Sequence, residues 1–521
     1  MTADATVQSD STAVPVPAAR PVIRDPLRVV AVAAAIGLAG QLLFFDVALG
    51  INVPIALLLL LGGGWALRQR AQQICAADAW LAPAAILFAA FAALRADPAL
   101  VFLDILAALG LGGAALASFG GRSVLARGAA AVIALAIAAA GWVIAGAVAV
   151  LGSARSAVPQ APAGPHRLRR LLPVARGLAI AAPIVLLFVA LFSAADAVFA
   201  ELVGSVFDVD LAIDEVIARG IFAGLIAWVA AGSIGMAAST NARPSAAAST
   251  QGATAGWRLG RTEVLTVLVA VNVVFGVFVV LQAAYLFGGL DTLEATGLTH
   301  AEYARRGFFE LVAVALLACA VVIGSERLVR GRPASILAAA TGLTVLTGVV
   351  LVSALLRLRL YQEAFGWTEL RLYVLAVMAV LAVSLAALVA MLLLDRVRWF
   401  GHLFVLATLA AGIVLNIVGP VRFITEQNVA RALNPALVPA HGSSGLDDVY
   451  AASLGDDAIP ILVAALPHLD RSRAEYVASE LRFRLERMQS DEGPTAWQAW
   501  NLGRSQAREA LDDNGWRAFL P

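Results

Sequence analysis

The chain has 521 residues, of which 61% are hydrophobic and 14% are charged, and its formal net charge is +1. Soluble proteins average about 45–50% apolar and about 25% charged residues, so a soluble fold could not hide this much apolar surface. The balanced charge argues against a nucleic-acid-binding protein, which needs a basic surface. The composition therefore predicts an integral membrane protein.

Residues 1–28 are polar and rich in Ala, Pro, Ser and Thr, which predicts a disordered N-terminal tail. They lack the pattern of a secretory signal.

Residues 29–418 contain about twelve apolar blocks, each close to the roughly 20 residues that a helix needs to cross a bilayer. Spanning segments must satisfy their own backbone hydrogen bonds, so the sequence predicts an all-α, polytopic transmembrane helix bundle of about 12 spans with a small C-terminal helical tail. The predicted spans are residues 29–48, 51–67, 80–95, 99–118, 129–151, 177–200, 216–238, 263–287, 307–323, 334–356, 371–394 and 400–418.

Arginine placement predicts the orientation, because short cytoplasmic loops carry an excess of positive charge. Four arginine-containing loops should face the cytoplasm: residues 152–176, 239–262, 324–333 and 395–399. The acidic loop at 201–215 should lie outside, as should the C-terminal tail. The side of the N-terminus stays open. Five spans before residue 152 would place it outside, whereas Arg20, Arg24 and Arg28 favour the cytoplasm.

After the last span the chain becomes polar. Residues 419–446 are rich in Gly and Pro and predict a linker, and residues 447–521 predict a small polar helical region. Its helices are expected near 446–467, 471–489 and 495–512, with Asp447 and Asp456 at N-cap positions. Three tryptophans should dock this region on the membrane surface: Trp497, Trp500 and Trp516.

The densest group of polar residues lies at the start of the ninth predicted span and in the residues just before it. Glu302, Arg306 and Glu310 recur every four residues and form one charged stripe. Glu310 lies about one turn inside the apolar block, where an ionisable group needs a partner and is a candidate functional residue. The alternative is a ladder of ions that only seats the helix at the membrane edge.

The predicted orientation brings other polar residues to the same, outer side. The resulting candidate pocket consists of Asp196, Gln282, Tyr285, Glu302, Tyr303, Arg305, Arg306, Glu310, Arg357, Glu363, Glu369 and Arg371. Hydrogen bonds between helices are the alternative role of Gln282 and Tyr285. Tyr361, Trp367 and Tyr373 suit the aromatic belt at a membrane surface.

Catalytic and metal-binding patterns are missing from the sequence. The five histidines show no ligand spacing, and no hydrolase or nucleotide-binding motif occurs. Asp46 and Asp104 are single carboxylates in apolar runs, where each could relay protons, form a buried pair or lie at an interface. The sequence therefore predicts neither a cofactor nor a metal, and it leaves enzymatic activity uncertain.

Five stretches resemble, in order, a bacterial multi-pass membrane family catalogued as domain of unknown function 4173. They are RGLAIAAPIVLLF to SAADAVFA (176–200), YLFGG (285–289), AEYARRGFFEL (301–311), YQEAFGWTELRLY (361–373) and DDVYAASLGDDAIP (447–460). The resemblance implies a location in the bacterial inner membrane and a polar C-terminal tail. It assigns no catalytic residue, since that family has no established chemistry.

The function favoured by these observations is transporter-like or ligand-binding, with an outward-facing pocket for a small solute or a lipid headgroup. The alternative is a non-transporting structural or signalling protein that docks another protein of the cell envelope. In both cases the lipid bilayer surrounds the chain and nucleic acid is not a partner.

Overall fold

The computed structural model describes residues 23, 25–68, 74–121, 123, 146–147, 149–155, 213–238, 261–287, 308–328, 333–438, 446–489 and 496–521. Its regular elements there are helices, and the predicted all-α, polytopic fold is confirmed. The bundle helices in the described ranges are α1 Pro26–Phe44, α2 Asn52–Leu67, α3 Leu81–Leu94, α4 Pro98–Phe119, α5 Ile213–Ala238, α6 Arg261–Phe287, α7 Phe308–Leu328, α8 Ala334–Phe365, α9 Glu369–Leu393 and α10 Phe400–Val418.

Eight helical segments of the described chain are long and apolar enough to cross a membrane, judged by length and composition. The helices at Asn52–Leu67 and Val314–Glu326 are apolar but shorter. The predicted span at 177–200 and most of the one at 129–151 lie outside the described residues. The number of twelve spans therefore remains a prediction.

Packing between α1 and α5 shows how the helices alternate in direction. Near the end of α1 the Phe45 ring meets Phe222, close to the start of α5, with ring centroids 5.8 Å apart. At the other ends, Val29 and Ala33 share a buried cluster with Ile234. The two helices are therefore antiparallel.

The C-terminal region, residues 447–521, docks on one end of the bundle, here called the tail side. The backbone N–H of Ile51, before α2, donates to the carbonyl of Trp500 at 2.9 Å. The end of α1 and the start of α2 consequently lie on the tail side, and the start of α1, with Arg28, lies on the opposite side.

Helix α8 is longer than its predicted span. It continues past residue 356 to Phe365, and its 32 residues would measure about 48 Å against an apolar bilayer core of about 30 Å. Arg357, Arg359 and Glu363 therefore lie on the last turns of a helix. The connection to α9 is only residues 366–368, here called the α8–α9 connector.

Helix α11, Pro420–Leu433, occupies the first half of the predicted linker at 419–446. Gly419 ends α10 with φ at +67°, and Pro420 then stands at the first position of the new helix, where its fixed φ is favourable. The linker prediction is thus wrong for these residues, because the Gly-Pro pair ends one helix and begins another.

The C-terminal region folds around its own core. Its helices are α12 Asp448–Ser453, α13 Ile459–Ala465, α14 Arg471–Gln489 and α15 Leu502–Asp512. Ile459 and Leu462 are buried in a cluster that also includes Leu372 of α9 and Leu415 of α10. An apolar seam therefore joins this region to the bundle.

Local predictions for this region had mixed outcomes. Asp447 caps α12, accepting from the N–H of Tyr450 at 2.9 Å, as predicted. The cap predicted at Asp456 is wrong, since Gly455 is the residue that precedes this helical turn. Asp456 Oδ1 instead lies 3.7 Å from Nη1 of Arg484. Trp516 is also misassigned as a membrane anchor. It is only 2% exposed and donates to the carbonyl of Leu511.

Candidate functional site

A layer of buried polar groups lies where the C-terminal region meets the bundle. Its centre is Arg95-Ala96-Asp97, here called the α3–α4 connector. Asp97 is fully buried and caps α4, because its Oδ1 accepts from the N–H groups of Ala99 at 2.9 Å and Leu100 at 3.1 Å. Its Oδ2 accepts from the Tyr373 hydroxyl at 2.8 Å. Asp97 thus links the start of α4 to α9.

A buried pair of polar side chains, Asp104 and Asn416, lies about two helical turns further into the bundle, at the level of Asp104 in α4. Asp104 and Asn416 are 1% and 2% exposed, and Asn416 Nδ2 donates to Asp104 Oδ1 at 2.8 Å and to the carbonyl of Gly412 at 3.0 Å. Arg95 Nε donates to the carbonyl of Asn416 at 2.8 Å, and Nη2 donates to that of Ile417 at 3.3 Å. Arg95 therefore places a cation on the last carbonyls of α10, where the helix dipole favours one.

The C-terminal region contributes further hydrogen bonds to this polar layer. Asp457 Oδ2 accepts from the N–H of Ala96 at 3.0 Å. Asn501 Nδ2 donates to the carbonyls of Ala92 at 2.9 Å and Arg95 at 2.7 Å. Helix ends leave such carbonyls without partners inside the helix. Side chains from the C-terminal region thus satisfy the end of α3.

Burial perturbs the ionisable groups of the docked surface. It raises the pKa of Asp457, against the opposing effects of the Ala96 N–H and the Arg95 charge. Burial lowers the pKa of Arg504, which donates to the carbonyl of Leu49. Both shifts have the direction expected for side chains that become partly buried at the docked surface.

Two residues of the predicted pocket lie together on the tail side, between the end of α8 and the start of α9. A cavity of about 190 Å³ is lined by Leu358, Arg359, Gln362, Glu363, Trp367, Arg371 and Leu375. It brings together Glu363 and Arg371 from the predicted set. Arg371 also donates to the carbonyl of Phe365 at 3.2 Å, and its guanidinium lies 4.2 Å from the Tyr361 ring centroid.

Two further predicted residues lie nearby but outside this cavity lining. The backbone N–H of Glu369 donates to the Tyr450 hydroxyl at 2.8 Å, so this residue faces the C-terminal region. Arg357 lies on α8, about half a turn before Arg359.

The other predicted pocket residues cannot be placed with their side chains. Asp196, Glu302, Tyr303, Arg305 and Arg306 lie outside the described residues. Gln282 and Tyr285 are on α6 and Glu310 is on α7, at positions where the structure describes the helix but not the side chain.

Helix α11 holds the α8–α9 connector against the pocket. Asn428 Oδ1 accepts from the N–H of Trp367 at 2.9 Å, and its Nδ2 donates to the carbonyl of the same residue at 2.8 Å. Arg431 donates to the carbonyl of Glu363 at 2.8 Å, and Phe423 packs edge-on against Trp367. This contact could not be predicted from a segment interpreted as a linker.

Sequence reasoning also missed the α3–α4 connector and its contacts. Arg95, Asp97, Asn416, Asp457 and Asn501 were not predicted as site residues. One usable signal was the Asp97-Pro98 pair, since an acidic residue before proline is typical of a helix start. Within the described ranges, no group of three or more His, Cys, Asp or Glu side chains could hold a metal ion.

Comparison with known families gives one match. The model of a domain of unknown function (DUF4153) matches residues 82–465 of the chain. Comparison with curated proteins and with solved structures finds no significant match. The resemblance to family 4173 is therefore corrected: the family model that matches this chain is that of DUF4153. The matched model covers well over half of the chain, which thus belongs to the DUF4153 family of uncharacterised proteins.

Proposed function

We propose that this membrane protein binds a small anionic group, a phosphate or a carboxylate, in the tail-side cavity. The observation that carries the proposal is the cavity lining, in which Arg359 and Arg371 outnumber the one carboxylate of Glu363. Guanidinium groups bind phosphate and carboxylate through paired hydrogen bonds. Gln362 adds a neutral donor and acceptor.

The position of the cavity fits a ligand at the membrane surface. It lies beyond residue 356, where the apolar part of α8 ends, and Trp367 forms part of its wall. Tryptophan is enriched at the depth of lipid headgroups. A lipid phosphate and a small soluble anion could therefore both reach this site.

The tail side is, in this proposal, the extracytoplasmic face of a bacterial inner membrane. Arg28 at the start of α1 lies on the opposite side, as do Arg396 and Arg398 between α9 and α10. Positive charge in such short flanking segments favours the cytoplasm. The same argument favours a cytoplasmic N-terminus.

Ligand binding is better supported than transport, which needs a polar path to both faces. In the described part of α8 and α9, the buried hydroxyls of Thr344, Thr347 and Ser384 donate to carbonyls of their own helices at 2.7–2.8 Å. The groove between these two helices is lined almost entirely by apolar side chains, such as Leu351 and Met378.

The test measures thermal stability of the purified protein in nanodiscs. An occupied site at ten times Kd adds about 1.4 kcal/mol to the free energy of unfolding. Wild type should be stabilised by phosphatidylglycerol if the ligand is a lipid, or by soluble glycerol phosphate in phosphatidylcholine discs if it is a solute. Arg359→Gln should abolish that gain.

Arg422→Gln is the matched control. Arg422 is exposed on α11 and pairs with Glu426 on the same helix, so its loss should leave the ligand effect intact. Equal stabilisation of wild type and Arg359→Gln by both ligands would refute the proposed pocket.

One observation favours the alternative, a docking protein of the cell envelope. Tyr476 and Phe483 on α14 are 42% and 52% exposed and are seven residues apart, so they share a helix face. If this face binds a partner, a Tyr476→Ser/Phe483→Ser variant should lose the co-purifying envelope protein while it keeps the anion effect. Unchanged co-purification would exclude this face.

A further inference from the structure

Two side chains in contact within the bundle each carry a buried oxygen atom that lacks a hydrogen-bond partner. These oxygen atoms are Oδ2 of Asp104 and Oδ1 of Asn416, on the two side chains already joined through Asp104 Oδ1 and Asn416 Nδ2 at 2.8 Å. Each is an acceptor if Asp104 is ionised. Buried acceptors without partners are rare and costly, and the cost is larger for a charged group.

We propose that Asp104 and Asn416 form a proton-binding site, in which Asp104 carries a proton on Oδ2 and donates it to Asn416 Oδ1. A protonated carboxyl has one donor and one free acceptor, which matches a carboxamide on both counts. A single hydrogen thus satisfies both unpartnered oxygens. It also removes a negative charge from the apolar part of the bundle.

The charged groups around Asp104 support a neutral carboxyl. Arg95 is the cation that acts on it electrostatically, and its guanidinium is already bonded to the carbonyls of Asn416 and Ile417. Asp97 contributes a negative charge from the α3–α4 connector. Tyr373 of α9 is bonded to Asp97.

The described helices that pack against α4 add no further cation close to Asp104. Helices α2 and α3 contain no ionisable side chain, and the only one on α10 is His402, at its far end. Those of α5 are Asp214, Glu215 and Arg219, all near its start, where Arg219 lies over the Phe45 ring.

The site is connected to the C-terminal region by a series of hydrogen bonds. The side chain of Asn416 donates to Asp104, and the carbonyl of Asn416 accepts from Arg95. The backbone N–H of Ala96, the residue after Arg95, donates to Asp457. If the proton leaves to water, the new carboxylate competes with the α10 carbonyls for Arg95. Loss of the proton should therefore loosen the docked C-terminal region.

The experiment is infrared spectroscopy of the full-length protein in detergent at neutral pH. Wild type should show the carbonyl stretch of a protonated carboxyl, and ¹³C-labelled aspartate should shift that band without any substitution. Asp104→Asn, which preserves shape and hydrogen bonding, should lack the band. Asp395→Asn, at an exposed residue between α9 and α10, should retain it.

Asn416→Leu provides an independent measurement. Removing the amide should move the band to higher frequency, because the acid loses its acceptor. Absence of the labelled band from wild type at neutral pH would overturn the proposal. So would a melting temperature that rises with sodium or potassium in wild type but not in Asp104→Asn, since the two oxygens would then bind a cation.

Discussion

Asp457 is the partly buried carboxylate through which the C-terminal region contacts the α3–α4 connector. Burial raises its pKa, so the folded protein binds its proton more tightly than the unfolded chain does. Its contribution to stability is complete below the unfolded pKa of about 3.9 and is lost as pH rises through the folded value. Asp457→Asn should therefore flatten the pH dependence of unfolding above about pH 4.

Denaturant unfolding of both forms across this pH range checks the prediction. Asp470→Asn is a suitable control, since Asp470 is exposed and its pKa is lowered by the Arg473 N–H, so its effect has the opposite sign. A slope that Asp457→Asn leaves unchanged would contradict the assigned role.

Gly503 is a residue of the docked surface at which there is no room for a side chain. A Cβ placed there would overlap Oδ1 of Asp457 and lie 3.0 Å from the Cβ of Ala96. Overpacking of this kind costs about 1–3 kcal/mol. Gly503→Ala should thus increase protease cleavage between residues 446 and 521, whereas Ser505→Ala on an exposed position of α15 should not.

At the level of elements, α11 acts as a clamp on the α8–α9 connector. Asn428 satisfies both the N–H and the carbonyl of Trp367, which are partly buried. Leaving buried groups without partners costs about 1–3 kcal/mol. Asn428→Leu should lower stability by this amount and weaken anion binding at the adjoining cavity. Gln427→Leu, at an exposed neighbour on α11, is the control, and equal effects of the two would refute the clamp.

The elements also show where sequence patterns mislead. Apolar length predicted the spanning helices, because burial in lipid is decided by composition. It could not predict that α8 continues through Arg357, Arg359 and Glu363, since polar residues can extend a helix into water. The role of α11 depends on contacts between Asn428 and Trp367, which are far apart in the sequence. Local sequence patterns do not indicate which distant residues come into contact.

For the whole molecule, the two sides of the bundle can be assigned with the native cysteines. Cys75 is exposed on the side opposite the C-terminal region, and Cys319 is buried. In intact cells, an impermeant maleimide should not label wild type. It should label a Cys75→Ser/Ala518→Cys variant, because Ala518 is exposed on the tail side. The reverse pattern would place the C-terminal region in the cytoplasm.

The candidate site was only partly predictable at this scale. Glu363 and Arg371 were identified because charge clusters stand out in an apolar sequence. Arg95, Asn416 and Asn501 are single polar residues, and their importance arises from contacts between segments hundreds of residues apart. Tyr373 suited a membrane-surface anchor by type, but it donates to Asp97 instead.

The bond between Ile51 and Trp500 joins the start of α2 to a segment that lies hundreds of residues later in the chain. Proteins are synthesised from the N-terminus, so the early hairpins enter the membrane while their cover does not yet exist. Until residues 500 and 501 have been made, the N–H of Ile51 and the carbonyl of Ala92 therefore lack these hydrogen-bond partners. A chain that stops before Trp500 would leave those backbone groups without the partners that this segment supplies.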